Sequence, residues 1–563
     1  MMTRRVALKV LAASASALPF VANSNTSQAG RERESPATSA RLAQTGLSSR
    51  QLAGQRVVYS YPGLTPPESL LETIRAGEAA GVIFFGENIE SHDQIAAVVD
   101  RLRATQEQSP VAPPLLLMTD QEGGLVRRLP GAPEQSAKQI GLAGDPGSAA
   151  SQAGTEAGQN LASAGMNVNL APVLGVYRQP GDFLDQFERS FSDDPATVGT
   201  CAGAFIRAQQ QAGVAATAKH FPGLGTASAS QNTDAAPVTL QVSTSVLREV
   251  DEVPYLSALD ANVKLIMASW ALYPDLDAEN PAGLSATVIR GELRDRLGYH
   301  GVTITDALEA GALEAFGDNA QRGVLAAQAG MDLILCSARD VAQGSSVTTA
   351  LANAFDTGEL DPADFAAAIE RVDALRSGLT TNRFFPETGF EAGGAFLSYW
   401  VRFGGLPVFG YPITNEYTDP GTGLVTQYFE RARFEWHPGL QPDRYDVELG
   451  LLGVELATRD GLLDSAPFQP VEGQSDANCT FFPETGHRLC FGFRDHWNAH
   501  GGLAILGYPI SEEFPDPDTG LTVQYFERQR LEWHPENAPE WQVLGGLLGR
   551  QLLPPGVQSS AGA

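Results

Sequence analysis

Eight short apolar runs, separated by longer stretches of helical character, constrain the fold of this chain most strongly. Several runs are almost continuously apolar, as expected for parallel strands that are buried on both faces. Eight strands alternating with helices over about 300 residues predict an α/β chain with a (β/α)8 TIM-like barrel; a doubly wound open sheet is the alternative. The predicted strands are residues 56–60, 81–85, 115–119, 167–170, 216–219, 265–268, 302–305 and 333–335.

Polar side chains follow four of these runs, at the point where each predicted strand ends. Asp120 comes directly after the third run, and Asp306 comes directly after the seventh. Lys219 and His220 lie at the end of the fifth run, and Trp270 follows the sixth. In such barrels the reactive groups lie where the carboxyl ends of the strands meet. Because carboxylates and cations bind vicinal hydroxyls, we expect a site for a neutral polyhydroxylated ligand, with Trp270 packed on a sugar face.

Four motifs occur in order along the same region. They are Asp120-Gln121-Glu122-Gly123-Gly124-Leu125-Val126-Arg127-Arg128, Glu188-Arg189-Ser190-Phe191, Lys219-His220-Phe221-Pro222-Gly223 and Ile304-Thr305-Asp306-Ala307-Leu308. With these motifs, residues 55–379 resemble the bacterial β-N-acetylglucosaminidases of glycoside hydrolase family 3, single-barrel type. One motif alone has low specificity, whereas four in the same order form a specific signature.

The resemblance implies a two-step retaining hydrolysis in which Asp306 is the nucleophile. A short carboxylate at a strand end can be aimed at the anomeric carbon, which suits this role. The resemblance also implies N-acetylglucosamine rather than glucose as the sugar. It implies no metal or organic cofactor, since the chemistry needs only carboxylates. The residues implied to bind the hydroxyls of the sugar in the −1 position are Asp120, Arg128, Arg189, Lys219 and His220.

A structural role for the charged residues is the alternative interpretation. Lys219 and His220 would then pair at the rim with Asp120 or Glu122, and Arg189 would form a salt bridge within its loop.

The general acid/base is the point at which the sequence departs from the family pattern. The resembled enzymes carry an Asp-Ser-His triplet in the loop after the Lys-His motif, and its histidine exchanges the proton. Residues 223–234 contain no histidine. An ungapped count puts Ser230 and Asn232 at the two key positions, whereas two extra residues put Asp234 in the place of the histidine. Either Asp234, or a nearby carboxylate such as Glu122, is the acid/base with a raised pKa, or the barrel is a catalytically degenerate sugar-binding or cell-surface protein.

A β-glucosidase is a third hypothesis. Many such enzymes carry a second layered α/β domain, for which this chain has no room.

The C-terminal third repeats itself with a period of 97 residues. Each copy combines a helical stretch with short aromatic, turn-rich strands, which predicts two tandem small α+β modules. The matching segments are Phe385-Pro386-Glu387-Thr388-Gly389 with Phe482-Pro483-Glu484-Thr485-Gly486, Gly410-Tyr411-Pro412-Ile413 with Gly507-Tyr508-Pro509-Ile510, and Glu435-Trp436-His437-Pro438 with Glu532-Trp533-His534-Pro535. The segment Leu506-Gly507-Tyr508-Pro509 is similar to LGFP-type repeats of exported bacterial proteins, which are thought to associate with the cell wall.

Two interpretations of the aromatic residues in the repeats stay open. Exposed Trp and Tyr rings would stack on a cell-wall polysaccharide. Alternatively, Trp400, Trp436, Trp497 and Trp533 form the small cores of the modules, where aromatic residues of such modules usually lie.

The few cysteines and histidines are assigned structural roles. Cys479 and Cys490 occur only in the second copy and are predicted to form a local disulfide, whereas Cys201 and Cys336 are expected to be buried thiols. The pair His496 and His500 has the spacing of two zinc ligands on one helix face. The first copy has Tyr399 and Phe403 at those positions, which indicates packing, and no metal site is predicted.

The amino terminus predicts export. Arg4-Arg5 followed by a short Ala-rich apolar run is typical of a twin-arginine signal and too short for a spanning helix. No integral membrane segment is expected, and a net charge of −28 argues against nucleic-acid or anionic-lipid partners. We therefore expect an extracytoplasmic bacterial β-N-acetylhexosaminidase that acts on murein or chitin-derived saccharides. The expected segments are a signal at 1–29, a linker at 30–51, the barrel at 52–380 and repeat modules at 381–470 and 471–555.

Overall fold

Eight parallel strands form a ring in the N-terminal part of the chain. The computed structural model describes residues 46–379, 382–440 and 445–557. Neighbouring strands along the chain pair in order, and the last strand pairs with the first. The strands, labelled β1 to β8 in chain order, are Val57–Tyr59, Gly81–Ile83, Leu116–Thr119, Val168–Asn169, Ala215–Phe221, Leu265–Ala268, Val302–Ile304 and Ile334–Leu335.

The ring closes between β7 and β8. Ile304, at the end of β7, forms a parallel bridge with Leu333, and the amide of Thr305 donates to the Leu333 carbonyl at 3.0 Å. The eight predicted strands and the predicted barrel are confirmed. The open-sheet alternative is wrong, because an open sheet would leave unpaired edges where β7 and β8 meet.

Alternation along each strand explains why the runs are continuously apolar. In β1, Val58 belongs to the cluster that fills the barrel, whereas Val57 and Tyr59 belong to the layer between strands and helices. In β6, Leu265 and Met267 lie in the inner cluster, whereas Ile266 and Ala268 belong to the layer between strands and helices. Both faces of the strands are therefore removed from water, as in other parallel sheets.

Three of the outer helices begin at an Asp-Pro pair. The carboxylates of Asp145, Asp194 and Asp361 each accept a backbone N–H of the first helical turn, and proline occupies the next position. Proline suits that position because the missing N–H would have no helical partner. The helices of this region are Ser49–Gly54, Glu68–Arg75, His92–Gln106, Ala137–Gly141, Pro146–Ser163, Phe183–Gln186, Pro195–Gln211, Thr244–Val246, Leu247–Asp251, Val253–Asp260, Thr287–Arg296, Asn319–Ala329, Val341–Asp356 and Pro362–Gly378.

Two small modules follow the barrel, and their elements occur in the same order. Each has a β-hairpin, two short helices, a four-stranded antiparallel sheet and a closing helix. The first consists of Arg383–Phe385, Phe390–Ala392, Gly394–Arg402, Gly405–Phe409, Tyr417–Thr418, Val425–Tyr428, Arg433–Trp436, Val447–Leu449 and Leu452–Arg459. The second consists of Cys479–Phe482, His487–Cys490, Phe491–Ala499, Gly502–Ile505, Phe514–Pro515, Thr522–Tyr525, Arg530–Trp533, Val543–Gly545 and Leu548–Leu552.

Each closing helix packs against the other module. The amide of Val454 donates to the carbonyl of Glu527 at 3.2 Å, and the amide of Arg550 donates to the carbonyl of Glu430 at 3.2 Å. Both approaches are close, because a Cβ on Gly453 or Gly549 would overlap a backbone carbonyl oxygen of the opposite module. The two modules therefore form one reciprocally packed unit.

The four repeat tryptophans divide into two pairs. Trp400 is buried and Trp497 is half-buried, and the indole N–H groups donate to the carbonyls of Gly410 and Gly507 at 2.9 and 3.0 Å. The other pair lies at the surface, with Trp436 39% exposed and Trp533 44% exposed. A core role is thus confirmed for the helical pair and is wrong for the pair on the strands.

The cysteines are arranged as predicted. Cys479 and Cys490 form a disulfide that joins the two strands of the second hairpin, and Cys201 and Cys336 are buried thiols. The rings of His496 and His500 stack with centroids 3.9 Å apart, and Nδ1 of His500 lies 2.9 Å from the carbonyl of His496. This is a packing arrangement, and the described residues contain no group of three or more His, Cys, Asp or Glu side chains placed to hold a metal.

The predicted export signal lies outside the described residues. Among the residues that the structure does describe, no helix has both the length and the apolar character needed to cross a bilayer.

We expect Gly453→Ala and Gly549→Ala to loosen the packing between the modules. An added methyl group has no space there, and overpacking of this kind costs about 1–3 kcal/mol of unfolding free energy. Gly291→Ala is the control, since no atom lies within 4 Å of its Cβ position. Denaturant unfolding of the full chain measures the difference, and equal stability of all three variants would contradict the reciprocal packing.

Candidate functional site

The predicted site residues meet in one cavity at the carboxyl ends of the strands. The cavity has a volume of about 360 Å³, within the usual range for small-ligand sites. It lies where β3, β5 and β7 end, because side chains that follow parallel strands share one rim. Its lining includes all seven predicted residues, Asp120, Arg128, Arg189, Lys219, His220, Asp234 and Asp306.

Trp270 does not belong to this cavity. Its side chain is 1% exposed, and its indole N–H donates to the Ala307 carbonyl at 2.8 Å. The prediction that it packs on a sugar face is wrong. The ring is used instead to support the backbone next to Asp306.

Two cations and two carboxylates form a buried cluster on one side of the cavity. Nζ of Lys219 lies 2.7 Å from Asp120 Oδ1 and 2.9 Å from Glu122 Oε1. The guanidinium of Arg189 donates to both carboxylate oxygens of Glu122, at 2.9 and 2.8 Å. Of the ion pairs of the alternative interpretation, those of Lys219 with Asp120 and Glu122 are present. The other two are wrong, because Arg189 pairs with Glu122 outside its own loop and His220 faces Asp306. Asp120, Arg189 and Lys219 line the cavity, so they also present charged atoms to a ligand.

This cluster keeps Glu122 ionised. Burial alone would raise the pKa of its carboxyl group, but Arg189 and Lys219 together hold that pKa well below its usual range. A carboxyl group in this state cannot donate a proton near neutral pH. Glu122 is thus unsuited to the acid/base role that the sequence left open for it.

His220 is neutral and has an unused ring nitrogen. Burial, together with the charges of Lys219 and Arg189, lowers the pKa of its imidazole well below the usual value. Nε2 lies 3.9 Å from Asp306 Oδ2, and Nδ1 has no hydrogen-bond partner among the described residues.

Asp306 and Asp234 form a coupled pair of carboxyl groups. Oδ1 of Asp306 accepts the amide of Ala307 at 2.8 Å. Burial, and next the charge of Asp234, raise the pKa of Asp306 to about 7. Partial loss of hydration also raises the pKa of Asp234, although this residue is exposed. Because like charges resist joint ionisation, the two groups titrate as a pair that retains one proton over a range of pH, and the larger shift favours Asp306 as the group that holds it.

The position of Asp234 depends on contacts between two loops. The amide of Gly311 donates to the carbonyl of Asp234 at 2.9 Å, and the amide of Ala312 donates to the carbonyl of Thr233 at 3.0 Å. These bonds join the loop after β5 to the segment after β7. They bring Asp234 close to Asp306, although 71 residues separate the two in the sequence.

The cavity also contains residues that the sequence analysis missed. Glu309 accepts hydrogen bonds from the Ser337 hydroxyl at 2.8 Å and the Gln343 amide at 3.0 Å. The guanidinium of Arg339 lies 4.5 Å from the ring centroid of Phe85. The only sequence signal for Glu309 is its place three residues after Asp306. Arg339 follows β8 and Phe85 follows β2, so only barrel closure brings them together.

We expect Glu122→Gln to destabilise the protein, because the substitution leaves Arg189 without an anionic partner and Lys219 with Asp120 alone. Removing one member of a buried ion pair costs roughly 3 kcal/mol of unfolding free energy. Glu314→Gln at an exposed position is the control and should change that free energy by less than about 0.5 kcal/mol. Urea unfolding at pH 7 gives both values, and equal values would exclude a stabilising role for the cluster.

Comparison with known proteins places the barrel in a family. Residues 50–375 match the Glycosyl hydrolase family 3 N terminal domain. An "Uncharacterized secreted glycosyl hydrolase" from Arthroderma benhamiae is 48% identical over 330 residues, covering 58% of this chain and 93% of that protein. "Beta-hexosaminidase A" from Pseudoalteromonas piscicida is 28% identical, and the match covers 60% of this chain and 63% of the relative.

Solved structures show the same relationship. The β-N-acetylhexosaminidase from Beutenbergia cavernae is 32% identical with a TM-score of 0.55, covering 59% of this chain and 99% of that one. A family 3 β-N-acetylglucosaminidase from Paenibacillus has the same identity and TM-score, and the match covers 59% of this chain and 62% of that structure. The chain spans less than two thirds of the Paenibacillus and Pseudoalteromonas proteins. On its fold, its site and these matches, the chain belongs to glycosyl hydrolase family 3 and is a glycosidase.

Proposed function

We propose that the protein is an exported, retaining β-N-acetylhexosaminidase that removes terminal N-acetylglucosamine from cell-wall or chitin-derived saccharides. The observation that carries this proposal is the coupled Asp306 and Asp234 pair inside a cavity of about 360 Å³ with charged walls. The names of the Pseudoalteromonas and Beutenbergia relatives support the choice of sugar.

Binding of the sugar in the −1 position uses the walls of the cavity. Asp120 and Lys219 are already paired at 2.7 Å, so that each can direct remaining hydrogen bonds to neighbouring hydroxyls. Arg128 and Arg189 add fixed donors, and His220 lies on the same lining. A preformed set of partners positions the anomeric carbon without a large loss of entropy.

The first chemical step forms a glycosyl-enzyme. A carboxylate oxygen of Asp306 bonds to the anomeric carbon while the bond from that carbon to the glycosidic oxygen breaks. Asp234 gives its proton to the departing oxygen, which leaves as an alcohol. Asp306 is thereby neutralised as an ester, and Asp234 becomes the ionised member of the pair.

The second step returns the enzyme to its starting state. Ionised Asp234 takes a proton from water as the water oxygen bonds to the anomeric carbon, and the ester bond to Asp306 breaks. Two displacements at one carbon retain its configuration. In the protonation state that reacts, the proton of the pair lies on Asp234 and Asp306 is ionised. The raised pKa of Asp234 suits it to both steps, whereas the cations around Glu122 keep that carboxyl group ionised.

We expect Asp306→Asn to reduce hydrolysis of nitrophenyl N-acetylglucosaminide by about 10³-fold or more, since an amide is a poor nucleophile. A mechanism-based fluorosugar should add its mass to the Asp306 peptide in the unmodified protein and not in the variant. Asp275→Asn, at an exposed position outside the cavity, serves as the control. Labelling of another side chain would overturn the assignment of the nucleophile.

We expect Asp234→Asn to change the pH profile of kcat/KM. The active pair holds one proton, so activity falls at low pH when Asp306 is protonated and at high pH when Asp234 is ionised. Without the charge of Asp234 the pKa of Asp306 falls, so the acidic limb should move to lower pH. For a substrate with a good leaving group, which needs no proton from the enzyme, the fall of kcat/KM at high pH should also disappear.

The same variant should depend strongly on the leaving group. Aryl glycosides with poor leaving groups should lose about 10²–10⁴-fold in rate, and those with good leaving groups much less. Equal slowing of all substrates, with an unchanged acidic limb, would exclude Asp234 as the acid/base.

A catalytically degenerate barrel that binds sugar or acts at the cell surface is the second candidate. The observation that favours it is the absence of histidine from residues 223–234. Incubation with aryl N-acetylglucosaminide and aryl glucoside distinguishes the candidates. Release from the first alone supports the hexosaminidase, release from the second alone indicates a β-glucosidase, and no release from either supports the degenerate barrel.

The proposed function also includes export of the protein and its attachment to a polysaccharide. The Arg4-Arg5 motif and the word "secreted" in the name of the Arthroderma protein support an extracytoplasmic location. The exposed ring of Trp436 supports polysaccharide binding by the C-terminal unit. On this view the chain before Ser48 is a signal and a linker, and the modules hold the barrel near its polymer. The predicted linker bound at residue 51 is wrong, because the first helix of the barrel begins at Ser49.

A further inference from the structure

The first module contains a groove that the barrel does not use. It has a volume of about 750 Å³ and is larger than the catalytic cavity. Its lining includes Phe384 and Glu391 of the hairpin, Trp436 of the sheet, and Gly393 and Gly394 at the start of the next helix. These two glycines have no side chains to fill the groove.

The lining of the groove is aromatic and acidic. Trp436 is 39% exposed, and Asn382 and Glu391 lie on the same lining, with the Asn382 amide 3.1 Å from the Glu391 carboxylate. Asn415 and Glu416 add amide and carboxylate groups, and no Lys or Arg lies among the lining residues that the structure describes. A flat indole with neutral and anionic hydrogen-bonding groups suits sugar hydroxyls and repels phosphate or uronate polymers.

The second module differs at the positions that correspond to Asn382, Gly393 and Gly394 of the groove. With the 97-residue period, Cys479 and Cys490 stand where the first module has Asn382 and Gly393. They form the disulfide, and Phe491, which is 62% exposed, stands in the place of Gly394.

The chain segment that precedes the second module also distinguishes it from the first. The hydroxyl of Ser475 accepts the amide of Phe481 at 2.9 Å, and a Cβ on Gly473 would lie 3.0 Å from the Phe481 ring. The segment before the second module thus covers the residue that corresponds to Phe384 in the groove of the first.

We propose that the groove of the first module is a binding site for a neutral pyranose chain, with Trp436 stacked on one ring, and that the second module has lost this site. The inference rests on the proposed function for the kind of polymer involved, and it assigns the binding to one module and one groove. The ligand is neutral because two carboxylates without a nearby cation disfavour anions.

The site is held at a fixed place on the enzyme. Arg383 donates to the carboxylate of Asp100 and to the carbonyl of Ser163, both at 3.1 Å. Phe384 packs against the hydrophobic cluster of the barrel. A polymer held in the groove is therefore attached to the barrel itself, and attachment of this kind raises the local concentration of chain ends.

The test uses the full chain with Asp306→Asn, so that bound polymer is not degraded. Binding to insoluble chitin and to cellulose is measured by depletion from solution. Adding Trp436→Ala should weaken binding to one or both polymers by about tenfold. Adding Trp533→Ala, the matched change in the second module, should alter it by less than about twofold. Equal loss in both variants, or no loss in either, would overturn the assignment to one groove.

A second variant blocks the groove without removing its aromatic ring. Gly394→Phe copies the second module, where Phe491 has φ 45°, close to φ 47° at Gly394, and no atom lies within 4 Å of the Gly394 Cβ position. It should lose binding as Trp436→Ala does. Retention of full binding by a folded Gly394→Phe variant would exclude the groove. Binding of a lysine-rich peptide, with no binding of either polysaccharide, would overturn the choice of ligand.

Activity separates this inference from the proposed function. When Asp306 is retained, the Trp436→Ala and Gly394→Phe variants should hydrolyse a soluble aryl N-acetylglucosaminide at the rate of the unmodified protein. Absence of that activity from the unmodified protein would refute the hexosaminidase, whereas the binding results would still decide the groove.

Discussion

Closure of the barrel between β7 and β8 is the constraint on which the site depends. The bridge from Ile304 to Leu333 completes the ring, and only a complete ring directs every strand end to one rim. Asp306 follows β7 and Arg339 follows β8. In an open sheet these residues would lie at opposite edges, and no cavity would form between them.

The site contains two kinds of carboxyl group, and their neighbours decide how each behaves. Glu122 is bound by Arg189 and Lys219 and stays ionised. Asp306 and Asp234 face each other's charge, so that the pair retains a proton. One fold thus places a permanent anion and a titrating pair within the same small cavity. This division of roles is the electrostatic basis of acid/base chemistry near neutral pH.

The C-terminal modules combine structural symmetry with chemical divergence. Their closing helices pack reciprocally at Gly453 and Gly549, where any side chain would overlap the opposite backbone. Away from that contact the copies are free to differ. One carries glycines beside an open groove, and the other carries a disulfide and Phe491. A duplicated unit can therefore keep its packing while only one copy keeps a ligand site.

Local patterns in the sequence by themselves determined the eight strands, the disulfide and the residues that follow each strand. These features depend on short-range rules, such as continuous apolar runs. Tertiary structure decided which groups meet. The bonds from Gly311 and Ala312 place Asp234 beside Asp306, burial removes Trp270 from the site, and closure adds Glu309 and Arg339. Charge and burial act through space, so their effects on pKa and exposure exist only once distant segments pack together.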